Sequence, residues 1–120
     1  MSKYKLTESE ERFAGLVWKN EPLASGELVK LCGKEMNWKK STTYTVLKKL
    51  CDNGVFKNEN TIVSSVIRKD EYYAKQSVRF VEDIFEGSLP KFLTAFIGVK
   101  KLNRQQAEEL KKLIDEHKSN

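Results

Sequence analysis

Residues 40–67 are KSTTYTVLKKLCDNGVFKNENTIVSSVI, and the spacing of their apolar side chains changes partway along. The first half has the helical period and predicts a helix from about Lys40 to Asn53, ended by the left-handed turn that Asn53-Gly54 favours. Its inward side consists of Thr43, Val46, Leu47, Leu50 and Cys51. Residues 55–59 and 62–67 then have the composition of two strands around Asn60-Thr61, which predicts a β-hairpin.

Two further helices are predicted before this stretch. Residues 7–10, TESE, match a capping box and open a helix that residues 20–22, Asn-Glu-Pro, bring to an end. Ser25 is expected to cap a second helix that ends near Gly33. Three helices followed by a β-hairpin is the order of a winged helix-turn-helix, so residues 1–68 are predicted to form that domain.

Residues 69–120 return to the helical period throughout. A long helix ends at Gly87, Ser88 caps a shorter one, and Asn103 opens the last one through a capping box. Three such helices cannot enclose their own apolar side chains, so a twofold dimer is expected, with an ordinary intramolecular core as the alternative. The predicted dimerisation residues are Val78, Val81, Ile84, Phe85, Leu89, Phe92, Leu93, Phe96, Leu110, Leu113 and Ile114.

The predicted fold class is therefore mainly α with a small β-hairpin. A winged helix-turn-helix DNA-binding domain, residues 1–68, is followed by a three-helix dimerisation region, residues 69–120. No repeat, low-complexity tract or Pro/Gly/Ser-rich linker separates the two parts.

The positive charge of the chain is concentrated in one segment. The net charge is +5, and residues 37–57 alone contribute +4, because five lysines there face a single acid, Asp52. A local cluster of this kind is typical of a protein that neutralises phosphates, although a solvated lysine-rich helix is the alternative.

The outward face of the third helix suits the reading of DNA. If Leu47 and Leu50 are buried, the opposite side presents hydroxyls, a tyrosine ring and lysines, which can bond to base edges in the major groove. Lys48 and Lys49 are expected to contact phosphates, and the small polar hairpin tip can approach the backbone or the minor groove. The predicted DNA-binding residues are Lys39, Lys40, Ser41, Thr42, Tyr44, Thr45, Lys48, Lys49, Asn58, Asn60 and Thr61.

Other classes of function lack the residues that they need. One histidine, His117, and two cysteines, Cys32 and Cys51, are too few for a Cys/His zinc site or for the usual histidine-dependent catalysis. We therefore predict no enzyme activity, no metal and no cofactor. Residues 92–99, the longest apolar-leaning stretch, are too short to cross a membrane, and residues 1–8 do not have the pattern of a secretory signal. A cytoplasmic protein without membrane insertion is expected.

Several segments together resemble the penicillinase repressor family, which includes copper-responsive relatives. They are residues 6–10, 17–18, 37–42, 47–54, 85–88 and 102–110. The resemblance covers nearly the whole chain, and the order and spacing of the segments are more specific than any one of them. It implies a homodimeric repressor whose winged helix binds a double-stranded DNA operator and whose C-terminal helices form the dimer.

The resemblance also implies a switch that this chain matches only in part. In the β-lactam branch of the family, a sensor-linked protease signal leads to cleavage of an Asn-Phe bond in the penultimate helix. The aligned pair here is Ala95-Phe96, so the phenylalanine is present and the asparagine is absent. The copper branch has clustered cysteines near its C-terminus, and no cysteine follows Cys51 here. Tyr44 stands where relatives typically have a basic residue.

The sequence therefore predicts a homodimeric transcriptional repressor that occupies a palindromic operator and excludes polymerase. By resemblance, proteolysis or loosening of the C-terminal dimerisation helices would relieve the repression, as in the regulation of β-lactam resistance. Two alternatives remain open, namely a winged-helix regulator that responds to a small ligand and a winged helix that binds protein instead of DNA.

Overall fold

The computed structural model describes residues 5–119. The helices are α1 (Glu8–Asn20), α2 (Ser25–Met36), α3 (Lys40–Asp52), α4 (Lys69–Ile84), α5 (Leu89–Val99) and α6 (Arg104–His117). The strands are β1 (Leu23–Ala24), β2 (Phe56–Glu59) and β3 (Ile62–Ser65), which form one antiparallel sheet in the order β1-β3-β2. The fold is mainly α with a small sheet, which confirms the predicted fold class.

The chain divides into two compact units, and the division falls inside α4. We call Met1–Ser77 the N-terminal unit and Val78–Asn120 the C-terminal unit. The domain boundary predicted from the sequence, after residue 68, stays a prediction, and the division between the two units lies nine residues later, after Ser77. None of the helices in the described range is long and apolar enough to cross a membrane.

The predicted caps of α1, α5 and α6 are confirmed, whereas α4 ends at Ile84, three residues before the predicted Gly87. Thr7 and Glu10 form the expected capping box of α1, which ends at Asn20. Gly54, at φ 81°, supplies the left-handed residue after α3, whereas Asn53 itself keeps a right-handed helical conformation. In the C-terminal unit, the side chains of Ser88 and Asn103 cap α5 and α6 as predicted.

The prediction for α2 was wrong at both ends. The N-cap is Ala24, and Ser25 lies inside the first turn with its backbone N–H bonded to Thr61 O at 2.8 Å. The helix also continues past Gly33 to Met36, where Asn37 takes the left-handed conformation at φ 55°. A glycine tolerates a helical backbone at a modest cost, so it predicts an end only where the chain also has to turn.

Strand β1 was not predicted, because two residues are too few to establish a period of two. Leu23 pairs with Val63 and Ala24 pairs with Ile62, so β1 continues the sheet on the free edge of β3. On the other edge of β3, Phe56 is paired with Ser65 in the hairpin. The sheet therefore ties the start of α2 to the hairpin that follows α3.

The core of the N-terminal unit lies between these helices and one face of the sheet. Its fully buried side chains include Phe13, Val17, Leu28, Leu50 and Phe56. Around them, Trp38 stacks on Phe13 with the ring centroids 5.8 Å apart, and Trp18 packs against Phe56 at the same separation. The buried Tyr72 of α4 belongs to this core too, since its hydroxyl oxygen accepts a hydrogen bond from Leu6 N.

The C-terminal unit contains a cluster of aromatic rings but little burial. Phe80, Phe85, Phe92 and Phe96 follow one another with ring centroids 5.5–6.1 Å apart. Within the described chain, neither α5 nor α6 contains a buried residue. The helices of this unit thus meet without enclosing a core.

Candidate nucleic-acid interface

The helix α3 has a buried and an exposed side, divided as the sequence predicts. Thr43, Leu47 and Leu50 are buried against the core. Ser41, Thr45 and Lys48 lie on the opposite side and are exposed, as the helical spacing requires. All of the predicted DNA-binding residues, in α3, at its start and in the hairpin, are exposed in the structure.

The N-terminus of α3 differs from the starts of α1, α5 and α6. Those helices have side-chain caps, whereas α3, whose N-cap is Lys39, has none over the range that the structure describes. Its first turn also contains no acidic residue, as in α5 and α6. Lys39 and Lys40 add positive charge where the helix dipole is already positive. This end of α3 suits a bound anion, because free amide groups and cationic side chains meet there.

Some of the lysines of residues 37–57 form ion pairs with carboxylates. Lys48 Nζ lies 3.0 Å from Asp52 Oδ2, and Lys57 Nζ lies 3.4 Å from Glu59 Oε1. Among the described residues, no carboxylate lies within 4.0 Å of the ammonium group of Lys39 or Lys40. The available positive charge is therefore concentrated at the start of α3.

Lys49 contacts α1 instead of solvent alone. Its Nζ lies 2.6 Å from Oε2 of Glu10, a residue only 7% exposed. Burial by itself would raise the pKa of the Glu10 carboxyl, but hydrogen bonds from Lys49 and Thr7 outweigh that effect and lower the pKa. Glu10 is thus an ionised link between the capping box of α1 and α3, and the predicted phosphate contact of Lys49 stays a prediction.

The tip of the hairpin is a tight two-residue turn. Asn60 and Thr61 have φ angles of 52° and 64°, which are the positive values of a hairpin turn that matches the twist of its strands. Asparagine tolerates this conformation, whereas it is strained for a β-branched residue such as threonine. The turn is held from outside the hairpin, because Thr61 O accepts the hydrogen bond from Ser25 N.

Ser25 and Tyr44 connect the start of α2 to the exposed side of α3. The Tyr44 hydroxyl donates a hydrogen bond to Ser25 Oγ at 3.3 Å. Tyr44 also lines a pocket of about 210 Å³ together with Lys48 and Asn58, so the hairpin and α3 share one surface. Sequence reasoning missed Ser25 because its spacing suggested a helix cap, and nothing local indicated a partner 19 residues away.

The two cysteines are free thiols at different depths in the fold. Cys32 is buried and Cys51 is half-buried, and both are free. Burial raises the pKa of each thiol, which keeps the thiols protonated and weakly reactive. Within residues 5–119, no group of histidine, cysteine and carboxylate side chains could hold a metal ion.

Most of the predicted dimerisation residues are accessible in the C-terminal unit. Those that are exposed are Val78, Ile84, Leu89, Phe96, Leu113 and Ile114. Those that are partly buried are Val81, Phe85, Phe92, Leu93 and Leu110. The predicted set lacked Phe80, Ile97 and Val99, which are exposed as well. Val99, at 92%, is the most exposed of these, although its spacing from Phe92 and Phe96 continues the helical pattern and could have identified it.

The pair Ala95-Phe96 lies inside α5, and both residues are exposed. The Lys100 backbone N–H bonds to Phe96 O, so the last turn of the helix begins at this pair. A protease needs an extended substrate, so cleavage here would require α5 to open locally.

Comparisons with known proteins agree with this geometry. A family model described as "Penicillinase repressor" matches residues 6–116. A protein of Bacillus licheniformis named "Penicillinase repressor" is 21% identical over 118 residues, which cover 95% of this chain and 92% of the relative. The match thus extends over both units, from the capping box of α1 almost to the end of α6.

Proposed function

The chain belongs to the penicillinase repressor family, and from this premise we propose that it is a homodimeric repressor that occupies a palindromic operator. The family consists of DNA-binding transcriptional regulators, which confirms the prediction that the chain is not an enzyme. Family membership favours DNA over protein as the partner of the winged helix. A cytoplasmic location is expected of a protein that regulates transcription.

The start of α3 carries the proposal. Lys39 and Lys40 stand at an uncapped helix N-terminus without a carboxylate partner among the described residues. Phosphate groups at this point would place the exposed side of α3, with Ser41, Thr45 and Lys48, towards the base edges of the major groove. The adjacent hairpin turn would contact the backbone or the minor groove beside it.

The exposed apolar side chains of the C-terminal unit support a dimer. Ile84 is 62% exposed and Leu113 is 54% exposed, and these values are unusual for large side chains that recur on one side of a helix. A second copy would cover them and bring two winged helices together. Two linked winged helices, the readers of the two half-sites, bind an inverted repeat far more tightly than one, because the second half-site is bound intramolecularly.

The release of repression is proposed to act through α5. No residue of this helix is buried in the described chain, so its local opening costs little while it is unpaired. A sensor-linked protease that cleaves at Ala95-Phe96, or a signal that loosens the helices, would separate the two readers. Each reader would then have to bind its half-site alone.

Fluorescence anisotropy on promoter DNA tests the proposal directly. We expect the wild type to prefer an inverted repeat over random duplex at moderate salt, with an affinity that falls steeply as salt increases. The double variant Lys39→Ala/Lys40→Ala should weaken binding to all duplexes and reduce the salt slope by about two for each bound half-site. Lys111→Ala, which changes an exposed lysine of α6, is the matched control and should leave the slope unchanged.

Two results would contradict the proposal. One is a wild type that binds random duplex as tightly as any promoter fragment at moderate salt. The other is a salt slope that is unchanged in the Lys39→Ala/Lys40→Ala variant, because phosphates would then be bound by another surface.

A further inference from the structure

Ser25 is a buried polar residue, and its hydroxyl does not make the helix cap that the sequence predicted. It is 6% exposed, and the N-cap of α2 is Ala24, so the Ser25 hydroxyl does not cap this helix. Its backbone N–H is bonded to Thr61 O at 2.8 Å, which fixes its position against the hairpin turn. The hydroxyl oxygen is therefore held at a defined place beside α3.

The Tyr44 hydroxyl lies within hydrogen-bond distance of the Ser25 hydroxyl oxygen. Tyr44 is 36% exposed and donates its only hydroxyl proton to Ser25 Oγ. A phenol has a single O–H group, so a tyrosine that already donates can offer only its lone pairs to another partner. Towards any further partner, the Tyr44 hydroxyl is then a hydrogen-bond acceptor and not a donor.

The bases of DNA differ in what they offer to such an acceptor. In the major groove, adenine N6 and cytosine N4 carry amino donors, whereas guanine O6 and N7 and thymine O4 are acceptors. A tyrosine oxygen that can only accept can form a hydrogen bond with the amino group of adenine or cytosine. Guanine and thymine present an acceptor there, and two acceptors repel each other. The direction of this one part-buried hydrogen bond thus selects between two classes of base.

We propose that Ser25 sets the base preference of Tyr44, so that each half-site of the operator has an adenine or a cytosine at the position that Tyr44 contacts. Ser25 acts as a positioning residue, because it contacts Tyr44 and the hairpin turn while Tyr44 contacts the base. The inference rests on the proposed function, since it requires that the exposed side of α3 faces the major groove.

Selection of bound sequences from a randomised duplex library tests this inference. The wild type, Ser25→Ala, Ser25→Thr and Tyr44→Phe should be compared at one salt concentration. The position at which Tyr44→Phe loses selectivity identifies the contacted base, and there the wild type should prefer adenine or cytosine by about fivefold or more. Ser25→Ala frees the tyrosine proton and should accept all four bases at this position alone.

Two further variants separate positioning from a general structural effect. Ser25→Thr keeps a hydroxyl oxygen and should restore the wild-type preference. Ser9→Ala removes an exposed hydroxyl from the first turn of α1 and should change no position. If Ser25→Ala does not fold, as judged by thermal unfolding, the preference of the wild type at the position defined by Tyr44→Phe still decides the matter, because Tyr44 is exposed.

The outcomes distinguish this inference from the proposed function. A wild type that selects guanine or thymine at the Tyr44 position, or a folded Ser25→Ala variant that keeps the full preference, overturns the role of Ser25 alone. A library in which Tyr44→Phe alters no position overturns it too, while the repressor function stands. A wild type that enriches no sequence overturns both.

Discussion

The two units of this molecule contain equally well-formed helices, but only one of them encloses a core. In the N-terminal unit, Phe13, Leu28 and Leu50 are fully buried. In the C-terminal unit, α5 and α6 have no buried residue among those described, and Ile84 and Leu113 are more than half exposed. Side-chain caps and amphipathic spacing therefore specify a helix without specifying what covers it.

The difference has a physical origin in what each unit can pack against. In the N-terminal unit, a sheet lies beside three helices, and aromatic side chains such as Trp18 and Phe56 fill the space between them. The described part of the C-terminal unit has helices alone, and its phenylalanine rings contact mainly one another. Side chains exposed to this degree are accounted for most simply by a second copy of the chain.

The largest effect is expected from removing a ring of the enclosed core. Phe13→Ala should lower the free energy of unfolding by about 3–5 kcal/mol, because the neighbouring rings of Trp38 and Phe56 would fill the cavity only in part. Phe96→Ala, which truncates a ring that is 45% exposed, is the control within the other unit. Chemical denaturation measures both, and similar losses at the two positions would remove the contrast between the units.

A smaller effect is expected from charges on the proposed dimer surface. Leu113→Asp should weaken self-association by about 2–4 kcal/mol, or roughly 30- to 800-fold in the dissociation constant. Sedimentation equilibrium measures this constant, and near-UV circular dichroism should show the aromatic core of the N-terminal unit unchanged.

Lys111→Asp, which alters an exposed polar position of the same helix, is the control for this substitution. A dimer that persists in Leu113→Asp at the same concentration would show that this side of α6 does not form the interface. A chain that sediments as a monomer at high concentration would refute the dimer itself.

A still smaller effect, on stability, is expected from the contact between α1 and α3. Glu10→Gln keeps the capping acceptor for Thr7 but removes the charge paired with Lys49, and should cost about 1–2 kcal/mol at neutral pH. The folded pKa of Glu10 lies below its ordinary value of 4.5, so this stability is present above pH 4.5 and is lost as the pH falls through the folded pKa.

Denaturation of the wild type and Glu10→Gln between pH 7 and pH 3 checks this prediction. The difference between their free energies of unfolding should shrink towards the acid end. Glu8→Gln changes an exposed acid in the same helix turn and serves as the control. A difference that grows on acidification would have the wrong sign and would contradict the role given to the ion pair.

The smallest effect is expected at the hairpin turn, and it is a gain. Thr61→Gly should raise the free energy of unfolding by about 1 kcal/mol, because glycine adopts φ 64° without strain and Thr61 is exposed. Asn60→Gly should change the stability much less, since asparagine tolerates a positive φ. Thermal unfolding monitors both variants, and a loss of stability in Thr61→Gly would show that its side chain stabilises the turn.

The sequence predicted the helices and the hairpin better than the contacts between them. The winged helix, the hairpin and the caps of α1, α5 and α6 were recognised from patterns that repeat within a few residues. Strand β1 was missed because its two residues form a strand only when β3 is beside them. Ser25 was assigned to a cap because serine before an apolar run is a typical helix start, whereas its actual partners lie in α3 and the hairpin.

The exposed side of α3 followed from the sequence, but its charge distribution did not. Helical spacing alone placed Ser41, Thr45 and Lys48 outward, since the buried side chains fix the rotation of the helix. The sequence counted every lysine of residues 37–57 equally. Only the structure shows that Lys49 is bound to Glu10 while Lys39 and Lys40 have no carboxylate within reach among the described residues.

The sequence by itself determined where α1, α5 and α6 begin, which side of each helix is apolar, and that a compact hairpin follows the third helix. These properties depend on hydrogen bonds and spacings within one or two helical turns, so they are visible as patterns. The tertiary structure decided which charges remain available and which hydroxyl faces Tyr44. These depend on contacts between distant residues, such as Lys49 and Glu10, 39 positions apart, that meet only when the helices pack.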